Sequence, residues 1–531
     1  AGRDLGAGPA VMRGAFATLA ALVAVAPIVA APRSVCAQLA IDGFVEVQGG
    51  NTPFAEPRNR TDTYAQVNGS FAIDRALVGL RYESNRNSED AFTYEEITQR
   101  YFEIADERFR LRLGNVYTIL GNGLLHRSFE LPGVVLDQAG LRSRWGFARD
   151  VDGVLAEGRF GPVELRGLSG KPGSGEYSPA ISELLGLPLH RGELLGGQAV
   201  VRLPRDAKLG AAYTRFSGDG SRQDEFGSGF LELDPLRLAG VEGVAFPIAA
   251  EYARREPQLD NFFKFRGESN QVPSALYASS NLIAGPFALS AEWKDYTKFR
   301  TGINDPPSLV REHSFPLLNR STHVLASDDE EGYQLEASYR LERWGQVVAN
   351  VSRGDGLVSP SLPPRRFSER FVEVHLSPVS WPALEGALFY DSNRDDFEGF
   401  RYRETVGISA TARLPRELSA SLDVEHLKAR RTPDRFEDDY LAVSLQHATW
   451  GSAALVWQRT TDPAEERPRD AVSPGVQPRH YLSGVVSAQI SERHRVIVTA
   501  GQIREGLACT AGTCYKVLAF EGAQLRIESR F

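Results

Sequence analysis

The clearest indication of the fold is the stretch 333–342, whose sequence is YQLEASYRLE. Its odd-numbered positions carry Tyr333, Leu335, Ala337, Tyr339 and Leu341. Every residue between them is polar or charged. A period of two is typical of a β-strand with one apolar and one wet face. The same alternation recurs at 109–114 and 418–425, so the sequence predicts an all-β protein.

The connections between these strands alternate in length along the chain. Short links rich in turn formers lie at 73–75, 105–107, 158–162, 203–206, 284–286, 342–345, 378–382, 414–416, 449–451 and 491–493. Longer polar stretches that contain Pro and Gly separate them. Short periplasmic turns and long extracellular loops are typical of outer-membrane barrels. We therefore predict one large antiparallel transmembrane β-barrel over 38–531, with about 24 strands in a range of about 22 to 26. The turn is least clear within 226–250.

The bulk composition excludes two other classes. After the first forty residues no apolar run is long enough for a membrane helix, and the mean hydropathy is -0.27. A transmembrane β-barrel is compatible with this low mean hydropathy, because only alternate strand residues face lipid. The 68 acidic and 60 basic residues are spread along the chain, so no basic stripe predicts nucleic-acid binding.

The N-terminal region predicts export. Met12, the only methionine, and Arg13 precede an apolar run over 15–31 and a Val-Cys-Ala sequence that ends at residue 37. We interpret 1–37 as upstream residues and a secretory signal peptide. The alternative is a retained membrane helix, but Pro27 and Pro32 interrupt the end of the run.

The last predicted strand alternates in the same way and ends on an aromatic residue. Ala523, Leu525, Ile527, Ser529 and Phe531 share one face. This ending resembles the C-terminal assembly signal of Gram-negative outer-membrane porins, and the likeness covers the mature chain at the level of architecture only. It implies that Phe531 is the assembly signal recognised by the barrel-assembly machinery. It also implies a place in the bacterial outer membrane, with its lipid and lipopolysaccharide as partners.

A barrel of this size is too wide for strand side chains to fill. A predicted strand over 41–49 leaves no room for an N-terminal plug, so we expect the loop 118–150 to fold into the lumen. Its charged side chains are then the constriction candidates, namely Arg127, Asp137, Arg142, Arg144 and Arg149. Their net positive charge favours anionic solutes. An equally good interpretation is that they tie the loop to the wall through salt bridges.

Two cysteines lie close together near the C-terminus. Cys509 and Cys514 enclose a short loop that contains a Gly, which makes them a disulfide candidate in an oxidising compartment. A redox or metal pair is the alternative, but no His or further Cys lies nearby in sequence. No two histidines have the spacing of metal ligands, so we predict no metal site and no cofactor.

Two further patterns concern the surfaces of the barrel. Aromatic residues near strand ends, among them Tyr213, Trp293, Tyr296, Phe389 and Tyr390, predict an interfacial girdle. The acidic run 327–331 ends the loop 298–331 and is predicted to lie outside, where a charge run is usually solvated.

The sequence contains no nucleophile elbow, zinc-protease motif or phosphate loop, so we do not expect an enzyme. The predicted function is an outer-membrane porin-like channel for hydrophilic solutes with a polar lumen. The alternative is a scaffold barrel that encloses or docks a partner, such as an exported lipoprotein or a periplasmic protein. A soluble secreted β-sandwich is the third interpretation of the same alternation.

Overall fold

The computed structural model is a closed antiparallel barrel of 24 strands. It describes residues 37–531 except 53–58, 89–91, 132–134, 139–140, 144–147, 174–181, 184, 189, 191, 219–222, 257–272, 300–302, 305, 308–310, 324–328, 357–364, 464–478 and 511–512. The strands are β1 (Ala37–Asn51), β2 (Asn59–Ile73), β3 (Ala76–Asn87), β4 (Tyr94–Ala105), β5 (Phe109–Val116), β6 (Val151–Phe160), β7 (Val163–Pro172), β8 (Gly192–Arg202), β9 (Lys208–Gly218), β10 (Gln223–Leu233), β11 (Ile248–Arg255), β12 (Ser274–Ala284), β13 (Phe287–Thr297), β14 (Glu330–Leu341), β15 (Gly345–Gly356), β16 (Arg365–Leu376), β17 (Leu384–Asp395), β18 (Phe400–Leu414), β19 (Leu418–Arg431), β20 (Asp434–His447), β21 (Gly451–Thr460), β22 (Arg479–Ser491), β23 (His494–Ile503) and β24 (Phe520–Arg530).

The first and last strands close the barrel. They pair antiparallel from Asp42 opposite Arg530 to Asn51 opposite Glu521. The amide of Phe531 donates a hydrogen bond to the carbonyl of Ile41 at 2.8 Å and extends this seam by one residue. Closure leaves the sheet without a free edge, so its backbone donors and acceptors are paired within the sheet.

Each predicted short link is confirmed as a connection between neighbouring strands, and the predicted strand number is confirmed. The unclear segment 226–250 contains a helix, α1 (Pro235–Ala239), between β10 and β11. The side chain of Asp234 accepts from the Leu236 and Arg237 amides, and Gly240 ends the helix in the left-handed conformation at φ 80°. These caps are local signals for a helix. The short strand Val244–Ala245 then pairs with β12 beside β11. Among the described residues, no helix is long and apolar enough to cross a membrane.

The alternation in β14 separates the two faces of the barrel as predicted. Tyr333, Leu335 and Tyr339 are 39%, 44% and 49% exposed on the outer face, whereas Glu330 is buried on the inner face. Large apolar side chains are exposed on the outer face around the sheet, including Val78, Leu80, Phe102, Val154, Leu165, Leu195, Leu209, Val351, Val372, Leu388, Val406, Ile408, Val424, Val443, Leu455, Leu482, Val498 and Leu525. Such a belt suits contact with acyl chains.

The aromatic girdle is confirmed in part. Tyr213, Trp293 and Tyr390 are exposed on the outer face, but Tyr296 and Phe389 are buried. They belong to apolar clusters that include residues of the long connections. The prediction was wrong for these two because both side chains lie on the inner face. Phe389 stands between the exposed Leu388 and Tyr390, and Tyr296 shares its face with the buried Lys294.

At the closing seam the backbones of β1 and β24 approach so closely at Gly50 that a larger side chain there should be destabilising. A Cβ atom on Gly50 would lie on the carbonyl oxygen of Glu521 and 2.7 Å from the Cα of Gly522. We expect Gly50→Val to destabilise the barrel by about 1–3 kcal/mol, because overpacking forces the two strands apart. Urea titration of the folded, heat-modifiable band in detergent gels measures the loss. Gly69→Val is the matched control, since no described atom lies within 4 Å of its Cβ position. Equal effects of the two substitutions would contradict the argument.

Candidate functional site

This chain is a closed β-barrel of the transmembrane type, because its sheet has no free edge and presents an apolar belt outward. Any site that handles a solute must then lie on the inner face or on connections that contact it. Two connections have apolar residues buried together with inner-face residues of the strands. We call residues 117–131 the hairpin segment and residues 298–323 the crossing segment.

The hairpin segment folds back through a tight turn. Its strands Ile119–Leu120 and His126–Arg127 pair with each other, and Gly121 and Gly123 between them have φ of 59° and 90°. A side chain at Gly121 would collide with the carboxylate of Glu251 on β11. Glycine is therefore required here by both conformation and space.

Polar and apolar contacts hold the hairpin segment on the strands. The Gly121 amide donates to Gln198 Oε1 at 2.7 Å, and the Asn122 amide donates to Glu251 Oε2 at 2.5 Å. Leu120, Leu124 and Leu125 are fully buried in a cluster with Val200, Ala212, Phe226, Phe230, Ala253, Ala275, Tyr277, Tyr296 and Phe299.

The crossing segment begins on the same side of the barrel. Phe299 packs edge-on against Phe226, with ring centroids 5.5 Å apart. The Asn304 side chain donates to the Leu124 carbonyl at 3.0 Å, and the Arg127 amide donates to the Ile303 carbonyl at 3.3 Å. These contacts join the two segments into one body.

The crossing segment then reaches strands far around the barrel. Its helix α2 (Pro316–Arg320) carries Leu317, which is buried with Leu427 and Phe436, and Leu318, which is buried with residues of β16 and β17. The amide of Leu317 donates to Glu425 Oε2 at 2.9 Å.

Two arginines add charged contacts, one at the C-terminal end of α2 and one in the chain before it. Arg320 donates to the backbone carbonyls of Arg504 and Glu505, which follow β23. Arg311 forms ion pairs with Glu336 and Glu373 on β14 and β16. The crossing segment therefore contacts strands from β5 to β20 and the loop after β23, and it spans the space inside the sheet.

Two histidines of the crossing segment pair with carboxylates of the strands. His313 Nε2 lies 3.1 Å from Glu369 Oε1, and His323 Nδ1 lies 2.8 Å from Asp395 Oδ2. The His323 ring also stacks on Phe367, with centroids 4.5 Å apart. All these groups are buried.

The five predicted constriction residues do not form one group. Arg127 and Arg149 lie over the ring of Phe129, with centroid distances of 5.1 and 5.5 Å, and both are partly exposed. Arg142 is buried and forms an ion pair with Glu46 of β1, while its carbonyl accepts from the Tyr94 hydroxyl at 2.9 Å.

For the remaining predicted site residues the structure describes only the backbone, or the residue lies outside the described part of the chain. Asp137 is the backbone partner of Arg142 in a short hairpin, and Arg144 lies outside the described residues, as do 1–36. Cys509 and Cys514 face each other as Cα partners in the hairpin of Gly506–Thr510 and Thr513–Val517, so their disulfide stays a prediction.

Phe531 contacts His494 of β23 edge-on, with ring centroids 5.5 Å apart. Its side chain is 37% exposed at the end of the barrel seam. Its role as an assembly signal stays a prediction.

The acidic run is divided between two environments. Glu330 is buried and lies 3.1 Å from Lys294 Nζ on β13, whereas Glu331 is exposed. The expectation of a solvated outer run was wrong for Glu330, because β14 has already begun there and alternate residues face opposite sides. The part 324–328 lies outside the described residues.

Burial shifts two titratable groups in the connection between β5 and β6. It lowers the pKa of His126 to about 4 and raises the pKa of Asp150 to about 6. The imidazole of His126 is therefore neutral at pH 7, and the charge of the hairpin segment comes from its other side chains.

A group of charged side chains, which we call the luminal ladder, lines the inner face of β4 to β7. It consists of Glu103, Arg110, Arg112, Glu157 and Arg166. Arg110 lies 2.9 Å from Glu103 and 3.3 Å from Glu157, and Arg166 lies 2.6 Å from Glu157. Three guanidinium groups thus face two carboxylates, and partial exposure leaves them open to solvent.

Comparisons with known proteins concern the overall architecture. No protein-family model matches the chain, and no curated protein is similar to it in sequence. A BenF-like porin from Pseudomonas fluorescens Pf-5 is similar in structure at 9% identity and a TM-score of 0.39, covering 71% of this chain and 98% of the porin. The translocation pore of the P pilus usher PapC is similar at 10% identity and a TM-score of 0.45, covering 93% and 99%. In an E. coli P pilus tip assembly intermediate, the matched chain has 11% identity and a TM-score of 0.49, covering 95% of this chain and 62% of its own length.

Proposed function

We propose that this protein is an outer-membrane channel for hydrophilic solutes, narrowed from within by the loop 118–150 and the crossing segment. The observation that carries the proposal is how these segments are held. They contact the strands through side-chain hydrogen bonds, ion pairs and apolar packing, while the 24 strands pair with one another without them. The barrel can therefore stay closed while a segment moves.

Charged side chains inside the barrel support a polar path with a preference for anions. The luminal ladder has more guanidinium groups than carboxylates. Arg127 of the hairpin segment and Arg149 of the strand that pairs with it both lie over the ring of Phe129. A confined positive charge raises the local concentration of anions. Arg142 contributes less to this field, since Glu46 compensates its charge.

Ion selectivity tests the role of the two partly exposed arginines. We expect the double substitution Arg127→Ser and Arg149→Ser to lower the anion-to-cation permeability ratio by roughly twofold or more, because two cations leave the path. The reversal potential of the purified barrel in a planar bilayer under a KCl gradient measures the ratio.

The control replaces a basic residue away from the proposed path. Arg75→Ser removes a charge from a turn, where the guanidinium is 72% exposed and pairs with Asp106. An unchanged reversal potential in the double variant would contradict the assignment. Absence of defined conductance steps from the pure barrel, together with a stoichiometric co-purified partner, would instead support the scaffold alternative.

A further inference from the structure

His313, Glu369 and Asp391 form a buried cluster at the contact between the crossing segment and the barrel. Each offers one ligand atom, and these atoms all lie within 4.8 Å of one another. His313 belongs to the crossing segment, whereas Glu369 and Asp391 lie on the adjacent strands β16 and β17. Their exposed fractions are 4%, 4% and 0%.

The hydrogen bonds of this cluster are incomplete among the described residues. The Ser352 hydroxyl donates to Glu369 Oε2 at 3.3 Å, and the side-chain Nδ2 of Asn393 donates to Asp391 Oδ2 at 2.9 Å. His313 Nδ1 and Asp391 Oδ1 are buried, and neither has a hydrogen-bond partner in the part of the chain that the structure describes. A buried polar atom without a partner is destabilising, so a ligand that fills this gap is favoured.

The buried carboxylates around the cluster also favour binding of a cation. Glu369, Asp391 and Asp395 are buried close together, and the nearest buried guanidinium is that of Arg403, which lies 3.4 Å from Asp395. Arg403 also donates to the Asn393 side chain at 2.7 Å. Three buried carboxylates thus meet one guanidinium and the imidazoles of His313 and His323, which carry charge only when protonated. A divalent ion bound by His313, Glu369 and Asp391 compensates the two carboxylates without protonation of the imidazole.

We propose that His313, Glu369 and Asp391 bind a divalent transition-metal ion, with Zn²⁺ as the best fit. One imidazole nitrogen and two carboxylate oxygens match the donors that Zn²⁺ takes, and they leave a fourth tetrahedral position for water. The all-oxygen preference of Ca²⁺ and Mg²⁺ disfavours those ions at an imidazole. Tetrahedral ligands of Zn²⁺ lie about 3.4 Å apart, so ligand atoms that now lie within 4.8 Å of one another need to close by at most about 1.4 Å.

The site joins two parts of the chain that are far apart in sequence. A bound ion links the crossing segment to β16 and β17 through three coordinate bonds. Sequence analysis predicts no metal here because the three ligands come from separate elements and have no motif spacing. The proposed site concerns metal binding alone, so a measurement of Zn²⁺ binding tests it independently of channel activity.

The test is metal binding by the full-length barrel, purified in detergent and freed of metal with a chelator. Titration with ZnCl₂ in a calorimeter is expected to show one ion per chain. Co²⁺ in place of Zn²⁺ is expected to give the strong visible bands of a tetrahedral site. The single substitutions His313→Gln and Asp391→Asn are each expected to weaken Zn²⁺ binding by at least about tenfold.

The matched control is His323→Gln, which removes the other buried histidine of the crossing segment. His323 pairs with Asp395 and lies outside the proposed ligand set, so this variant is expected to bind one ion with the affinity of the unsubstituted chain. Heat-modifiable migration shows that each variant is folded. Folded barrel without stoichiometric Zn²⁺ binding, or folded His313→Gln with unchanged affinity, overturns the proposal.

Discussion

Deleting 300–328 and joining Lys298–Phe299 to Asp329 through a short Gly-Ser linker is expected to raise single-channel conductance several-fold. Barrels of about 16–18 strands already leave an aqueous channel, and 24 strands enclose a wider one. The crossing segment and its contacts occupy part of that cross-section. A short linker suffices because the Lys298 amide lies 3.1 Å from the Asp329 side chain. Single-channel recording in a planar bilayer measures the change.

A milder variant keeps the full length of the loop and weakens only the contacts between the crossing segment and the strands. Leu317→Ser and Leu318→Ser together remove its two fully buried apolar contacts on α2 and are expected to increase the frequency and size of open events. Leu185→Ser with Leu187→Ser is the control, since these leucines are 42% and 39% exposed on another long connection. Deletion without any rise in conductance would show that the crossing segment does not narrow the path.

Replacing Arg403 with Met is expected to destabilise the barrel by about 3–5 kcal/mol, because it leaves buried carboxylates without their guanidinium. Arg403 is 5% exposed, pairs with Asp395, donates to Asn393 and lies over the ring of Phe400 at 4.5 Å. Met keeps much of the side-chain volume, so the loss reports the charge. Urea unfolding in lipid vesicles, followed by tryptophan fluorescence, measures the change in free energy of unfolding.

An exposed arginine near the end of β17 provides the comparison. Arg394 pairs with Asp396 at 2.9 Å, but its side chain is 57% exposed and the pair is solvated. Arg394→Met is expected to change stability by less than about 1 kcal/mol. Similar losses from Arg403→Met and Arg394→Met would mean that burial of the Arg403 network does not matter for folding.

The strands and their order could be predicted because their signals are local. The alternation around Tyr333 identifies a strand and its outer face, and turn formers such as those at 414–416 mark the short connections. The helix after Asp234 was missed although its Asp-Pro start and Gly240 end are also local signals.

The candidate site could be predicted only in part. The apolar Leu124 and Leu125 pointed to an unusual loop, but the crossing segment was overlooked because its length and polarity resemble those of any external loop. The signal available was the short apolar stretch Phe315–Leu318 within it. Its partners lie far away in sequence, as when the Asn304 side chain donates to the Leu124 carbonyl.

The sequence by itself determined a closed antiparallel barrel, because the period of two and the turn residues depend on neighbours a few positions apart. Only the tertiary structure decided what fills the barrel and which charges meet there. His313 reaches Glu369 and Asp391 through the curvature of the closed sheet, and no local pattern encodes which residues that curvature brings together.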